Sequence, residues 1–235
     1  MNCKYNLGDL KIPIYGFYFL LISKTEKLGG YVFKRKFRLF SAIFIVLFLF
    51  LVYNGFVKEN LNINPSKDVA KIENFTLKDY NGESHSLKDF KDSKAIVVMF
   101  IATRCPVSNA YNGRMEKIYN EFKGKDISFI GINSNKAENV DEIKSHAKEH
   151  GLTFLILKDN QNKIADEFQA TVTPEIYVLN SNYDVQYHGR IDDSREEDNV
   201  ESKDLEKALN EILAGKKVSN ERTKAFGCSI KRVDS

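Results

Sequence analysis

Residues 100–108 have the sequence Phe-Ile-Ala-Thr-Arg-Cys-Pro-Val-Ser. This stretch is the most informative part of the sequence for predicting the fold. It overlaps an uninterrupted apolar run at residues 95–102, rich in β-branched side chains, which is typical of a strand buried on both faces. Pro106 suits the first position of a helix, because the N–H that proline lacks is one of the unpaired donors there. The stretch therefore predicts a buried strand, a turn that contains Cys105, and a helix that begins beside this cysteine.

On either side of this stretch, apolar segments of strand length alternate with amphipathic segments of helix length. The further predicted strands are residues 75–77, 127–132, 154–157, 176–179 and 185–187, and the predicted helices are residues 107–122, 140–150 and 205–213. Such alternation is typical of an α/β domain with a largely parallel central sheet. We assign the domain to residues 69–218, which is long enough for an independently stable core. Three cysteines in 235 residues are too few for a disulfide-stapled scaffold or a cysteine-only zinc site.

Cys105 is the candidate catalytic residue. The unpaired N–H groups and the dipole at the start of a helix stabilise negative charge, and the neighbouring Arg104 adds a cation. Both influences favour the thiolate, which is the nucleophilic form of cysteine. The alternative is a buried, unreactive cysteine, which is a common environment for this residue type.

The pattern Phe-x-Ala-x-x-Cys-x-x-Ser at the end of a buried strand resembles the thioredoxin-like superfamily, whose active site is Cys-x-x-Cys. By this resemblance Cys105 is the attacking cysteine, followed by Pro106, and Ser108 stands where the second cysteine would be. Thr173 and Pro174 precede a predicted strand and resemble the superfamily's cis-proline loop, which lies beside the attacking cysteine and shapes a peptide-binding groove. The resemblance implies a thioredoxin-like fold with a central mixed sheet flanked by helices, and a cis peptide bond before Pro174.

Residues 75–82 and 86–90 are similar to the redoxin and peroxiredoxin branch, which includes the alkyl hydroperoxide reductase/thiol-specific antioxidant group. Within that branch the sequence resembles proteins with a Cys-Pro-Val-Ser site and a tail of the form Gly-Cys-x-Ile-Lys, here residues 227–231. A lone Cys105 can form a mixed disulfide but needs a second thiol to release it. Cys228 is the candidate for that second, resolving thiol, provided that the polar tail folds back over the active-site end. The alternative is a free or structural thiol.

Several functions follow from this pattern. We expect a redoxin-type thiol–disulfide oxidoreductase that acts on protein or small-molecule disulfides and thiols. The alternatives are a peroxiredoxin-like peroxidase (an antioxidant) that uses Cys105 and Cys228 on peroxides, and a non-catalytic, membrane-tethered binding module on the same fold. True peroxiredoxins carry Pro-x-x-x-Thr-x-x-Cys, and their peroxidatic cysteine aligns with Ser108. Because Thr103 lies two residues before Cys105 rather than three, the peroxide-activating groups do not transfer residue by residue.

No cofactor and no metal site is predicted. His146 and His150 lie four residues apart, which places both rings on one face of a predicted helix and makes half of a possible metal site. No third ligand lies near them in sequence, and the surrounding Lys and Glu side chains are typical of a solvated face.

The positive net charge comes from the first segment of the chain. Residues 1–38 contain eight basic and two acidic side chains, a net charge of +6, so the remaining residues carry −3 although the whole chain carries +3. A nucleic-acid-binding surface therefore has no support in the predicted domain. Cys3 lies in this basic segment, apart from the other two cysteines, and we assign it no part in their chemistry.

Residues 39–57 contain no charged side chain, and a helix of this length spans about 28 Å, close to the hydrocarbon thickness of a bilayer. The cluster of Lys and Arg at residues 34–38 predicts that the segment 1–38 stays cytoplasmic. We therefore expect residues 39–57 to anchor the chain in the lipid of the inner membrane and the redox domain to be exported to the periplasmic side. A linker at residues 58–68 would join the anchor to the domain, and residues 219–235 would form a tail after it. A cleaved signal peptide is the alternative, although no small-x-small cleavage site follows the apolar run.

Overall fold

The computed structural model describes residues 69–233. Its strands are β1 (Thr76–Asp79), β2 (Ser84–Ser86), β3 (Ala95–Phe100), β4 (Ile127–Asn133), β5 (Leu155–Lys158), β6 (Val172–Thr173), β7 (Glu175–Leu179), β8 (Val185–Gly189) and β9 (Cys228–Ser229). Its α-helices are α1 (Pro106–Ala110), α2 (Asn112–Phe122), α3 (Val140–Glu149), α4 (Lys163–Glu167) and α5 (Asp204–Leu213), and short 3-10 helices cover Leu87–Phe90 and Glu197–Asn199. The expected membrane anchor at residues 39–57 and its flanking segments 1–38 and 58–68 lie outside the described residues. Within residues 69–233, every helix is too short or too polar to cross a membrane.

Seven strands form one mixed sheet in the order β2-β1-β5-β4-β3-β7-β8. β4 pairs in parallel with both β3 and β5, whereas the pairs β1–β2, β1–β5, β3–β7 and β7–β8 are antiparallel. The expected α/β class with a central mixed sheet is confirmed. The sheet is less parallel than the alternation of strands and helices suggested, because β1–β2 and β7–β8 are hairpins that add antiparallel strands at both edges.

β3 lies inside the sheet and is buried on both faces, as its apolar sequence predicted. Successive side chains point to opposite faces and enter two separate cores. Val97 and Met99 pack with residues of α2, α3 and α5, whereas Val98 and Phe100 pack with Phe168, which follows α4 on the other face. The parallel strands β3 and β4 end at the same edge of the sheet, and Cys105 follows β3 at that edge.

A buried ion pair ties the loop after β8 to helix α2. Nη1 of Arg114 lies 2.8 and 2.7 Å from the two carboxylate oxygens of Asp192, and the two side chains are only 8% and 6% exposed. The hydroxyl of Tyr111 donates to the same carboxylate at 2.9 Å, and the guanidinium lies 3.7 Å from the centre of the Tyr111 ring. The guanidinium also donates to the carbonyl groups of Ser194 and Arg195. The pairing compensates much of the free energy that burying two charges costs.

The residues after α5 run back across the domain. The N–H of Thr223 donates to the carbonyl of His188 at 3.0 Å, and the N–H of His188 donates to the carbonyl of Glu221 at 2.9 Å. Gly189 makes room for this contact, since a Cβ there would lie 2.0 Å from Oγ1 of Thr223. Farther along, β9 pairs with β6 in a small antiparallel sheet of its own. The tail is therefore packed against the domain through backbone hydrogen bonds, despite its polar sequence.

Candidate active site

Cys105 directly precedes α1 and is its N-cap residue. Its sulfur accepts a hydrogen bond from the N–H of Ser108 at 3.2 Å, and its thiol donates to the carbonyl oxygen of Thr173 at 3.3 Å. Pro106 is the first residue of the helix, where the sequence predicted it. Because Cys105 is only 4% exposed, its sulfur is enclosed between the start of α1 and the loop that carries Thr173.

Ser108 occupies the position of the second cysteine of the superfamily motif and is fully buried. Its hydroxyl oxygen accepts a hydrogen bond from the N–H of Ala102 at 3.2 Å, which ties α1 to the residues that follow β3. Ser108 therefore supports Cys105 through its backbone N–H and the turn through its side chain, and it supplies no second thiol.

The peptide bond between Thr173 and Pro174 is cis, which confirms the expectation from the sequence. Thr173 is buried in β6, and its carbonyl oxygen is the one that accepts from the thiol of Cys105. The structure thus places the Thr173–Pro174 loop directly beside the candidate nucleophile.

Cys228 reaches the same place from the tail. The antiparallel register of β6 and β9 sets Cys228 opposite Thr173. Cys228 lies close enough to Cys105 for each thiol to shift the pKa of the other, and both cysteines are free. Gly227 permits this close approach, because a Cβ there would lie 2.0 Å from the carbonyl oxygen of Thr173. The tail therefore brings a second sulfur to the cysteine that lacks one in its own motif.

The surroundings shift the pKa values of the two thiols in opposite directions. Burial raises the pKa of Cys105, but the neighbouring Cys228 thiol and the hydrogen bond from the N–H of Ser108 outweigh it, so the pKa is lowered. Burial raises the pKa of Cys228, and the neighbouring Cys105 thiol raises it further. When one of the two thiols loses its proton, these shifts favour the thiolate on Cys105 and the neutral thiol on Cys228.

The guanidinium of Arg104 has a different partner from the one that the sequence suggested. We expected its cation to support the thiolate, but its guanidinium binds the carboxylate of Glu142 on α3, with N···O distances of 2.8 and 2.6 Å. The Arg104 side chain is 60% exposed, and the pKa of Arg104 is raised by this hydrogen-bonded ion pair. A two-point pair with a carboxylate fixes the guanidinium, so Arg104 acts on the loop before Cys105 rather than on the sulfur.

A buried carboxylate that the sequence did not single out holds the same loop. Glu138 accepts hydrogen bonds from the backbone N–H groups of Thr103 at 2.8 Å and of Arg104 at 3.2 Å. The side-chain amides of Asn133 and Asn135 donate to it as well, at 2.5 and 3.2 Å. Residues 133–135 had the signal of polar side chains at the end of a buried strand, which is equally typical of a plain loop. Glu138 itself carried no such signal.

Asn135 also connects this loop to the tail. Its side-chain oxygen accepts from the N–H of Lys231 at 2.7 Å, and the carbonyl of Lys231 accepts from the N–H of Lys136 at 2.8 Å. Nζ of the buried Lys158 donates to the carbonyl of Asn135 at 2.6 Å. Burial lowers the pKa of Lys158. The tail is thus fastened on both sides of Cys228, by Thr223 before it and by Lys231 after it.

Glu175 follows Pro174, and its side chain holds the backbone at β6 through hydrogen bonds. Its carboxylate accepts from the N–H groups of Thr171 at 2.8 Å and Val172 at 3.1 Å, and it lies 2.7 Å from Nε2 of His188. Burial raises the pKa of Glu175, but the hydrogen bonds from His188 and from the two N–H groups outweigh it, so the pKa is lowered. The sequence signal that could have identified Glu175 is a charged residue at the start of an otherwise apolar strand.

The histidine pair that we weighed as half of a metal site lies on α3. The rings of His146 and His150 are 4.3 Å apart, and Nε2 of His146 lies 3.1 Å from the side-chain nitrogen of Asn112. Burial lowers the pKa of His146. The two histidines thus contact each other and Asn112, and packing between side chains accounts for their positions on the helix.

We expect Cys105 to react with iodoacetamide with a pH midpoint below the value of about 8.5 that an unperturbed thiol has, because its lowered pKa keeps the thiolate populated at lower pH. The rate would be measured across a pH series by mass spectrometry of the peptide that contains Cys105. Cys228→Ala removes a hydrogen-bond donor and should raise the midpoint, whereas Cys228→Ser keeps a donor and should raise it less. A wild-type midpoint at or above that of free cysteine would contradict the prediction.

Several known proteins are similar to this chain in sequence. Residues 69–193 match the AhpC/TSA family. Thiol-disulfide oxidoreductase ResA from Halalkalibacterium halodurans is 25% identical over 158 residues, which are 67% of this chain and 85% of that protein. Peroxiredoxin Q, chloroplastic, from Oryza sativa subsp. japonica is 32% identical over 121 residues, which are 48% of this chain and 54% of that protein.

A solved structure extends the similarity to the fold. The crystal structure of a hypothetical protein from Sinorhizobium meliloti 1021 has a TM-score of 0.67 and 29% sequence identity, and the match covers 71% of this chain and 94% of that one. The family match spans more than half of the chain and includes Cys105 and the cis-proline loop. The chain is therefore a thioredoxin-like oxidoreductase of the AhpC/TSA family, in its redoxin and peroxiredoxin branch.

Proposed function

We propose that this oxidoreductase exchanges thiols and disulfides, with Cys105 as the nucleophile and Cys228 as the resolving thiol. The observation that carries the proposal is the β6–β9 register, which sets Cys228 opposite Thr173 while Thr173 accepts from the thiol of Cys105. The opposite pKa shifts of the two thiols support the same division of roles, since the group with the lowered pKa attacks and the other stays protonated until it is needed.

The proposed reaction has two steps. The Cys105 thiolate attacks one sulfur of a substrate disulfide, forms a mixed disulfide and releases the first substrate thiolate, which takes a proton. Cys228 then loses its proton and attacks the Cys105 sulfur, which forms a Cys105–Cys228 disulfide and releases the second substrate thiol. The substrate disulfide is reduced to two thiols, the protein dithiol is oxidised to a disulfide, and an external dithiol must restore it.

We expect a brief exposure of the reduced protein to a small disulfide to yield a Cys105–Cys228 cross-linked peptide, because β9 already holds Cys228 opposite Thr173, the residue to which the thiol of Cys105 donates. Mass spectrometry of the non-reduced digest would detect it. With Cys228→Ser, the substrate should instead remain attached to Cys105, since no second thiol can displace it. Absence of the cross-link in the wild type, with Cys105 modified, would contradict the resolving role of Cys228.

A peroxidase is the second candidate, and the peroxiredoxin Q similarity and the AhpC/TSA match favour it. In that reaction Cys105 would take an oxygen from a hydroperoxide, release an alcohol or water, and become a sulfenic acid, which condenses with the Cys228 thiol to a disulfide and water. Thr103 and Arg104 could polarise a peroxide only near the sulfur, but both side chains are bound to Glu142. This placement favours disulfide exchange.

The membrane anchor at residues 39–57 and export of the redox domain to the periplasmic side belong to the same proposal. The uncharged apolar run and the basic residues before it support them. A chain without residues 39–57 should leave the membrane fraction, and its retention there would contradict the anchor.

A further inference from the structure

The small β6–β9 sheet occupies the backbone edge beside the candidate nucleophile. β6 contains Val172 and Thr173, and β9 pairs with both residues. The N–H of Ile230 extends the pairing by donating to the carbonyl of Thr171 at 2.9 Å. The strand of this chain's own tail therefore holds the edge at which an incoming peptide could add a strand.

An extended peptide that presents a sulfur to Cys105 needs that same edge. Cys105 is 4% exposed, its thiol donates to the carbonyl of Thr173, and the register of β6 and β9 sets Cys228 opposite Thr173. A peptide cysteine aligned for attack would take the place of Cys228, and its flanking backbone would take the place of β9. A small disulfide needs only the sulfur, because it has no backbone to pair.

The tail fits this position closely and is fastened at both ends. The Phe226 ring packs edge to face on Tyr111, with ring centres 6.2 Å apart, and Gly227 lies against the carbonyl of Thr173 with no room for a Cβ. After β9, the N–H of Lys231 is bound to the side chain of Asn135. An extended peptide must displace these contacts before it can pair with β6.

We propose that residues 223–231 form an intramolecular cover on the peptide-binding edge, so that the docked protein admits small disulfides and excludes extended polypeptides. This inference rests on the proposed thiol–disulfide exchange and names its substrate class. Release of the cover would open the same site to polypeptide substrates.

The test uses the full chain with Cys228→Ser, which traps the mixed disulfide at Cys105. Two probes carry the same leaving group, thionitrobenzoate, attached by a disulfide either to 2-mercaptoethanol or to the single cysteine of an extended eight-residue peptide. The Cys105 thiolate attacks the sulfur of the mercaptoethanol or of the peptide, and the thionitrobenzoate anion leaves and is followed by its absorbance. The readout is the ratio of the peptide rate constant to the mercaptoethanol rate constant.

Two further substitutions release the cover by different means. Gly227→Ala places a Cβ against the carbonyl of Thr173, and Lys231→Pro removes the N–H that is bound to Asn135. Gly124→Ala is the matched control, because a Cβ there meets no atom within 4 Å. Thermal unfolding of each variant establishes that the domain is folded during the assay.

We expect Gly227→Ala and Lys231→Pro each to raise the rate ratio about tenfold, since a peptide that regains the edge gains ladder hydrogen bonds. Gly124→Ala should leave the ratio unchanged. If the rate ratio rises less than threefold in both Gly227→Ala and Lys231→Pro while both variants are folded, the proposed cover is contradicted. If Cys105 reacts with neither probe in any variant, the proposed function fails as well, so the two failures are distinguishable.

Discussion

Replacing Cys105 with Ser is expected to lower disulfide-reductase turnover by roughly a thousandfold or more, because a hydroxyl at neutral pH is a far weaker nucleophile than a thiolate. The change is small in volume and keeps a group that can accept from the N–H of Ser108, so the start of α1 should stay intact. The measurement is steady-state reduction of a small disulfide with an external dithiol as electron donor.

Cys3→Ser is the matched control for this prediction, since it removes a cysteine to which we assign no role, and it should leave turnover unchanged. Full activity of the Cys105→Ser protein would overturn the assignment of the nucleophile, whereas a wild-type rate no higher than the rate without protein would favour a non-catalytic binding module. The same pair of proteins, mixed with hydrogen peroxide in a stopped-flow instrument, separates the two redox candidates. If peroxide oxidises Cys105 no faster than it oxidises a free thiol, the peroxidase function is excluded.

Arg114→Met is expected to lower the free energy of unfolding by about 3–5 kcal/mol, because it leaves the buried carboxylate of Asp192 without its cation. For a domain of this size, such a loss lowers the melting temperature by roughly 10 °C. Thermal and urea unfolding of the purified domain would measure both quantities.

The control for Arg114→Met is Glu121→Gln, which removes an ion pair whose side chains are 46% and 45% exposed, with Lys125. Exposed pairs contribute about 1 kcal/mol or less, so this variant should unfold close to the wild type. The double variant Arg114→Met/Asp192→Leu should lose less stability than the two single changes together, since neither charge is left buried alone. Equal losses for Arg114→Met and Glu121→Gln would contradict the prediction.

Local sequence predicted the elements that depend on periodicity and on turn chemistry. The apolar run of β3 is buried on both faces, and Pro106 begins α1, as residues 95–108 indicated. The predicted single helix at residues 107–122 is divided into α1 and α2 at Tyr111, whose hydroxyl binds Asp192. That partner lies far along the chain, so periodicity within the helix carried no sign of the break.

The contacts that build the site join residues remote in sequence, and this is why sequence reasoning placed some of them wrongly or missed them. Arg104 adjoins Cys105 in the chain, yet its guanidinium is bound to Glu142, which lies 38 residues away. Glu138 holds the loop before Cys105 from a distance of 35 residues, as measured from Thr103. The order of the tail depends on backbone hydrogen bonds to β6 and β8, which a polar sequence does not reveal.

All strands of the main sheet lie between Thr76 and Gly189, whereas Cys228 follows 39 residues after the last of them. A ribosome therefore completes the sheet and Cys105 before it adds the second sulfur, with an interval of roughly 2–8 s at ordinary rates of synthesis. A chain ended by a premature stop codon just after α5 would contain every strand of the main sheet and the proposed nucleophile Cys105, but it would lack strand β9 and the proposed resolving thiol of Cys228. Errors near the 3′ end of the message would thus damage the chemistry of this protein while sparing the sheet on which the chemistry is built.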